Sequence, residues 1–285
     1  MKAGNGPSKA ELILDRGIVR KHFAENDGAR LLFEVEKLDT LKRISGQTDL
    51  FSVPEVLKLN EHSYDLEYIP NAHELNDAGL GWDTKTLAKR LFEIVDYISK
   101  SRESSDDVWQ VMLEKFYQLK IEDKEYYDLV DHLPKDIIFK NANGFSHGDM
   151  SFDNILYANK KLYLIDPAWS RIESPLWDVG KIMQSCLIGW GQIKEGIIPT
   201  HENKIGWLRY LTYSIQNDSL LDMFVEKYGF DGVILATACQ LARVSRWCYP
   251  EVLVPIVKKL LKLYLQSLEK GYSEHVYLDA LRRTL

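Results

Sequence analysis

The chain has 285 residues, with 36 Lys and Arg against 42 Asp and Glu, a net charge of -6, 45% hydrophobic and 27% charged side chains. That composition excludes a disordered or fibrous chain, and the acidic balance speaks against nucleic acid, whose phosphates demand clustered Lys and Arg. No apolar run reaches the length of a membrane span, the first ten residues lack the apolar core of a leader, and the three cysteines are scattered. The expectation is therefore a reduced, cytoplasmic α+β protein with no membrane and no nucleic acid among its partners.

In chain order, residues 9–14 and 17–23 read as two short strands joined through Asp15-Arg16. Residues 29–44 carry Leu31, Val35, Leu38, Leu41 and Ile44 at spacings of three and four, an amphipathic helix with Asp27 as its N-cap. Residues 51–59 and 64–69 read as strands, and Pro54 confines the first to a strand start or a sheet edge. After Pro70 the pattern turns helical over 84–101, 108–119 and 122–133, with Pro134 ending the last. Two short strands, 154–157 and 161–165, flank the turn Ala158-Asn159-Lys160; from Trp177 the chain is mostly helical and closes with 252–270 and 277–285. A prior of roughly 150 residues per domain allows two units. The composition break predicts a lobe of residues 1–70 and a helical lobe of residues 71–285.

One stretch concentrates the chemistry: Ser146-His147-Gly148-Asp149-Met150-Ser151-Phe152-Asp153-Asn154-Ile155-Leu156-Tyr157, then Leu164-Ile165-Asp166-Pro167. Asp149 and Asn154 stand five apart in a loop, and the hairpin that follows returns a second carboxylate, Asp166. Carboxylate and amide oxygens are hard ligands suited to Mg²⁺. Phosphoryl transfer needs such ligands on the phosphates and a separate carboxylate to orient the attacking hydroxyl. A hairpin brings Asn154 and Asp166 close because residues flanking a short turn face each other.

His-Gly-Asp-x-x-x-x-Asn followed by Ile-Asp resembles the catalytic loop of the aminoglycoside phosphotransferase and choline kinase superfamily, relatives of the protein kinases. The resemblance implies a bilobal, protein-kinase-like α+β fold, with a small β-rich N-terminal lobe holding one helix and a larger, mostly helical C-terminal lobe. By position, Asp149 would be the catalytic base, and Asn154 and Asp166 would bind Mg²⁺. The first lobe would bind ATP or GTP, and the second would carry the catalytic loop and the acceptor site.

Such a fold needs a strand Lys on the phosphates and a helix Glu paired with it. Lys21, on the second expected strand, matches the first; Glu34 matches the second better than Glu36, though both stay open. Tyr64-Asp65-Leu66-Glu67-Tyr68-Ile69-Pro70 resembles the strand leading to the hinge, with Leu66 behind the base and main-chain contacts from Glu67 and Ile69. Gly4-Asn5-Gly6-Pro7-Ser8 sits where a phosphate-covering loop belongs but is not a GxGxxG, and Pro7 lacks an N–H, so Ser8 and neighbouring amides would hold the phosphates. Only three residues precede Gly4, which suits either a compact variant or a segment of a longer protein. Trp177-Asp178-Val179-Gly180-Lys181 resembles the helix start that follows the metal site in this superfamily, where Asp178 would brace the catalytic loop.

The expected function is transfer of the γ-phosphate of ATP or GTP to a hydroxyl of a small acceptor. Asn-Ile-Leu-Tyr, Ile-Asp-Pro and Trp-Asp-Val-Gly-Lys with Gln184-Ser185 are most similar to phosphotransferases of capsule or surface-polysaccharide genes, which implies a sugar acceptor. Ile-Asp-Pro-Ala is also similar to fructosamine kinases. A choline, amino-alcohol or aminoglycoside acceptor, and a non-catalytic nucleotide-binding protein, are the alternatives. Only eleven residues separate Asp166 from Asp178, too few for a protein-kinase activation segment. The seven His show no metal-ligand spacing, and His147 reads as a hydrogen-bonding strut rather than a base. Six of the seven Trp follow residue 100 and read as helical core rather than an acceptor pocket, with Trp169 closest to the motif; Lys258, Lys259 and Lys262 read as a solvated helix face.

Overall fold

The computed structural model describes residues 9–13, 17–75, 84–101, 107–118, 122–168, 173–188, 220–245 and 250–270. The chain divides into two compact units, Met1–Gly81 with His147–Arg171 and Trp82–Ser146 with Ile172–Leu285.

The first unit is built on a four-stranded antiparallel sheet in the order β1-β2-β4-β3, formed by β1 (Lys9–Ile13), β2 (Ile18–His22), β3 (Val56–Leu59) and β4 (Ser63–Glu67). In this register Lys21 pairs with Tyr64 and Arg20 with Asp65. Because side chains alternate along a strand, the two pairs face opposite sides of the sheet. Arg20 grips Asp65 through two bonds, Nε to Oδ1 at 2.6 Å and Nη2 to Oδ2 at 2.8 Å. One long helix, α1 (Gly28–Ser45), packs on the sheet and buries Leu31, Glu34, Lys37, Leu38, Leu41 and Ile44. Asp27 occupies the N-cap position but makes no side-chain cap bond.

The strand expected over 51–59 forms only at its end. Ser52 leaves the first sheet and pairs instead with a second hairpin: its N–H donates to Leu162 O at 2.8 Å and its carbonyl accepts from Leu164 N at 2.9 Å. Pro54, with no N–H to give a ladder, sits in the stretch between the two pairings. That second hairpin is β6 (Ile155–Ala158) and β7 (Lys161–Leu164), extended by the two-residue β5 (His73–Glu74). Its turn residues Asn159 and Lys160 both have positive φ, 51° and 61°, as a two-residue hairpin turn with native strand twist requires. Leu75 N also donates to the carbonyls of Phe152 and Ile155. Through these bonds residues 147–171 fold with the first unit.

The second unit is helical: α2 (Thr84–Ser99), α3 (Val108–Gln118), α4 (Lys124–Asp131), α5 (Pro175–Ile188), α6 (Leu220–Ser245) and α7 (Pro250–Lys270). Residues 174–186 are buried without interruption, making α5 its central element. Gly180 explains how α5 meets α6: a Cβ there would lie 2.7 Å from Ala236 O, inside contact distance. Helix α6 breaks at Gly229, where φ is 79°. Trp109 and Trp177 are core side chains, and the Trp109 indole donates to the carbonyls of Pro134 and Lys135. Lys259 and Lys262 are exposed, as expected of a solvated face, but Lys258 is partly buried. Lys258 reaches Asp123 and Glu125 at 2.7 Å each and Lys262 also pairs with Glu125, tying α7 to α4. Trp169, Trp190, Trp207, Trp247 and the helix expected over 277–285 lie outside the described residues, and no described helix is long and apolar enough to cross a membrane.

Candidate active site

A buried ion-pair cluster forms where β2, β4 and α1 meet the end of β7. Lys21 is 6% exposed, and its ammonium donates to Glu34 Oε2 at 2.6 Å and to Asp166 Oδ1 at 3.1 Å. Glu36 is exposed on the other side of α1, so the pair is with Glu34. Glu34 has two further donors: Arg30 Nε reaches Oε1 at 3.0 Å and the Tyr64 hydroxyl donates to Oε2 at 3.2 Å. Burial works against the charge on Lys21, but Asp166 and Glu34 outweigh it and hold the ammonium above its ordinary pKa. Burial, then the negative charges of Asp166 and Glu34, push the Tyr64 phenol far up, keeping it a donor.

The His147–Asn154 motif lies in the same unit. Asp149 follows Gly148, whose φ of +84° favours glycine. Asn154, at the end of a short 3₁₀ turn (Phe152–Asn154), turns its Nδ2 back to donate to Asp149 O at 2.9 Å. The amide nitrogen being used, Asn154 Oδ1 is the atom left to accept or to ligate. Asn154 O in turn accepts from Ile165 N at 3.0 Å, so the hairpin delivers Asp166 beside it in the ladder. Asp166 has φ 54°, an uncommon conformation for a non-glycine residue, and its side chain is 44% exposed. Asn154 Oδ1 and the Asp166 carboxylate are hard oxygen donors of the kind Mg²⁺ takes, and the donor set fits that ion. No group of three or more His, Cys, Asp or Glu suited to a metal occurs among the described residues.

His147 is wholly buried. Asp149 N donates to its Nδ1 at 3.3 Å, which places the ring proton on Nε2, and the Ile165 backbone is its other hydrogen-bonding neighbour. Burial, reinforced by the charge on Lys37, lowers its pKa to about 4, against the opposing pull of Asp149 and Asp166. The imidazole is neutral at physiological pH and braces the loop. Just ahead of it, Ser146 in the second unit is held by Glu173, which accepts from both its N–H and its hydroxyl. Asp178 is buried in the first turn of α5.

Lys21, Glu34 and Asp166 are thus drawn into one cluster, and Asp149, Asn154 and Asp166 are linked through the loop and hairpin backbone. Glu67 and Ile69 stand apart, at the end of β4 and just beyond it; the Glu67 amide donates to Glu55 O, so its carbonyl is what remains for a base. Ser8 lies outside the described residues. Motif reading passed over Arg30, Tyr64 and Lys37. The signal for Lys37 was present: Glu34, Lys37, Leu41 and Ile44 fall on one helical stripe at spacings of three and four, a position where a charge is costly unless paired. Lys37 Nζ donates to Ala168 O at 3.2 Å.

No family model matches the chain, and no curated protein does. Solved structures do. A choline/ethanolamine kinase family protein from Mesorhizobium loti is 12% identical with a TM-score of 0.51, covering 99% of this chain and 92% of that one. An aminoglycoside phosphotransferase, APH(2'')-IIa, in a streptomycin–ATP ternary complex is 14% identical with a TM-score of 0.52, covering 92% and 90%. Amicoumacin kinase hAmiN, in complex with AMP-PNP, Ca²⁺ and Ami, is 10% identical with a TM-score of 0.51, covering 90% and 88%. What the chain shares with them at these identities is the protein-kinase-like α+β fold.

Proposed function

We propose that the protein is a small-molecule kinase that moves the γ-phosphate of ATP, or GTP, to a hydroxyl of a small acceptor. The observation that carries this reading is the single ammonium of Lys21 held between buried Glu34 and half-exposed Asp166, with Asn154 pinned to the Asp149 carbonyl one strand away. In this reading Lys21 contacts the nucleotide phosphates, Glu67 and Ile69 offer main-chain groups to the base, and Ser8 with nearby amides covers the phosphates. Residues 1–70 would form the nucleotide-binding lobe, and residues 71–285 the lobe with the acceptor site and the catalytic loop, whose segment 147–171 folds together with the first unit.

Asn154 and Asp166 would hold Mg²⁺, which supplies charge neutralisation on the phosphates when bound. Asp149 orients the acceptor hydroxyl and takes its proton as the oxygen bonds to the γ-phosphorus. The bond from that phosphorus to the bridging oxygen breaks, and the nucleoside diphosphate leaves with the electron pair. Lys21 keeps its positive charge throughout, since its pKa is raised. Catalysis is then positioning and electrostatics rather than covalent chemistry.

A sugar or sugar derivative in polysaccharide assembly is the acceptor class we favour, supported by the motif resemblance around Asn154, Asp166 and Trp177. An amino alcohol is the second reading, supported by the likeness to the choline/ethanolamine kinase family structure. Cytoplasmic placement accords with the need for ATP. The test is acceptor-dependent ADP release across sugars, polyols and amino alcohols, with Asp149→Asn as the comparison. The variant should keep Mg-nucleotide affinity and lose turnover by roughly 10²–10⁴. Undiminished transfer by that variant overturns the reading, and nucleotide binding with no ADP release for any acceptor would favour a non-catalytic protein of the same fold.

A further inference from the structure

Helix α1 sends a second charged side chain into the site, and the kinase reading gives it nothing to do. Lys37 is 3% exposed, one turn from Glu34 on the buried stripe of α1. Its ammonium lies where two separate backbone segments converge. It donates to Ala168 O at 3.2 Å, two residues past Asp166. It also packs against Gly148, next to Asp149, so closely that a Cβ on that glycine would sit 3.4 Å from Nζ. The same two segments are joined to each other by Ala168 N donating to His147 O at 3.1 Å. A Cβ on Gly148 would also stand 3.3 Å from both the side chain and the carbonyl of Ala168, closer than ordinary contact, at a residue whose φ of +84° already favours glycine.

We propose that Lys37 is a positioning residue of the phosphoryl-transfer site: its buried ammonium clamps the backbone that carries Asp149 and the backbone that carries Asp166 onto the helix that carries Glu34. The proposal rests on the kinase reading above. Its physical basis is that the Asp166 turn holds an unfavourable positive φ, which persists only when its surroundings over-determine it. Lys21 supplies one tether at the Asp166 carboxylate and the Ala168–His147 bond a second. Lys37 supplies the third, and it ties both segments to α1. A charge-assisted bond to a carbonyl in a water-poor site is stronger than a neutral one, which suits a long, flexible side chain to the work of a clamp. Sharing α1, the Glu34–Lys21 pair and the Lys37 clamp would shift together with any movement of that helix.

The test compares Lys37→Met, which keeps the stem and removes the ammonium, with Lys37→Arg, which restores a donor. Amide hydrogen exchange is followed in peptides covering residues 147–149 and 165–168, alongside kcat, nucleotide KM and the Mg²⁺ midpoint. Displacement of a catalytic group by about 1 Å can cost on the order of 10²-fold in rate. Lys37→Met should therefore lower kcat by about 10- to 100-fold, leave nucleotide KM within about threefold and raise the Mg²⁺ midpoint, with Lys37→Arg recovering most of the loss. Exchange should quicken in those two segments and stay unchanged across β2 and β4. Unchanged exchange and kcat in Lys37→Met overturn the proposal, as does a uniform rise in exchange with normal turnover per folded molecule, the mark of a merely structural lysine. If the wild type releases no ADP with any acceptor, it is the kinase reading that fails and the catalytic half of the proposal with it; the exchange contrast still reports the clamp.

Discussion

Lys21 bridges two carboxylates in unlike surroundings: the Glu34 side chain, 2.6 Å away, is 1% exposed, whereas that of Asp166, 3.1 Å away, is 44% exposed. The first carboxylate is removed from water and depends on its three donors. The second keeps contact with solvent and can exchange one partner for another. The two carboxylates therefore stand in different states of hydration, one wholly committed inside the core and one open to solvent.

Replacing Glu34 with Gln should destabilise the protein, because Lys21 and Arg30 would lose a buried countercharge. Breaking a buried pair from one side costs about 3–5 kcal/mol. The expected outcome is a urea midpoint shifted down by an amount in that range with the slope unchanged. A shift below about 1 kcal/mol would show that the pair contributes little beyond an exposed one.

Asp166→Asn should behave oppositely. Its partner Lys21 retains Glu34, and half of the side chain is already in water, so stability should change by less than about 1 kcal/mol. Mg²⁺ dependence should suffer instead. A Mg²⁺ titration of nucleotide binding should show a midpoint raised by tenfold or more, about 1.4 kcal/mol per tenfold. An unaltered midpoint would remove Asp166 from the metal site.

His147 makes the folded state sensitive to acid. Its pKa, near 6.5 in an unfolded chain, falls to about 4 when the ring is buried beside Lys37, with Asp149 and Asp166 too weak to offset this. Because the folded value is the lower one, the unfolded chain binds the extra proton between these limits. The contribution to stability is complete above pH 6.5 and is lost as pH falls toward 4. Between pH 7 and 5 the loss should be roughly 2 kcal/mol, and His147→Gln should remove that part of the pH dependence. Equal changes in urea midpoint between pH 7 and pH 5 for the two proteins would contradict the assignment.

Gly180→Ala tests the packing of the helical unit. With the added Cβ placed 2.7 Å from Ala236 O, α5 and α6 must separate. Overpacking of this kind costs about 1–3 kcal/mol. The unfolding midpoint should fall accordingly, and a variant as stable as the wild type would mean that the two helices yield more easily than their contact suggests.

Much of the site could be read along the chain because its members are brought together locally. Asn154 and Asp166 are joined by a hairpin of four-residue strands, whose turn residues Asn159 and Lys160 set the register. Glu34 lies on the stripe of Leu31, Leu38 and Leu41, which favours it over Glu36, and the structure decides between the two by pairing Lys21 with it. Strand and helix boundaries were likewise legible to within a few residues wherever apolar spacing was regular, as in α1 and β7.

The rest depends on partners distant in sequence. Ser52 reads as part of a strand with its neighbours, yet its N–H and carbonyl are taken by Leu162 and Leu164. Lys258 reads as part of a solvated face until Asp123 and Glu125 draw it in. Lys37 stands on the buried stripe of α1, but only residues 148 and 168 show what its ammonium holds. Periodicity and local spacing determined which elements form and placed Asp149, Asn154 and Asp166 in one loop and hairpin. Only the tertiary structure decided which charges are buried and what they hold, because the cost of burying a charge is offset by partners that no local pattern names.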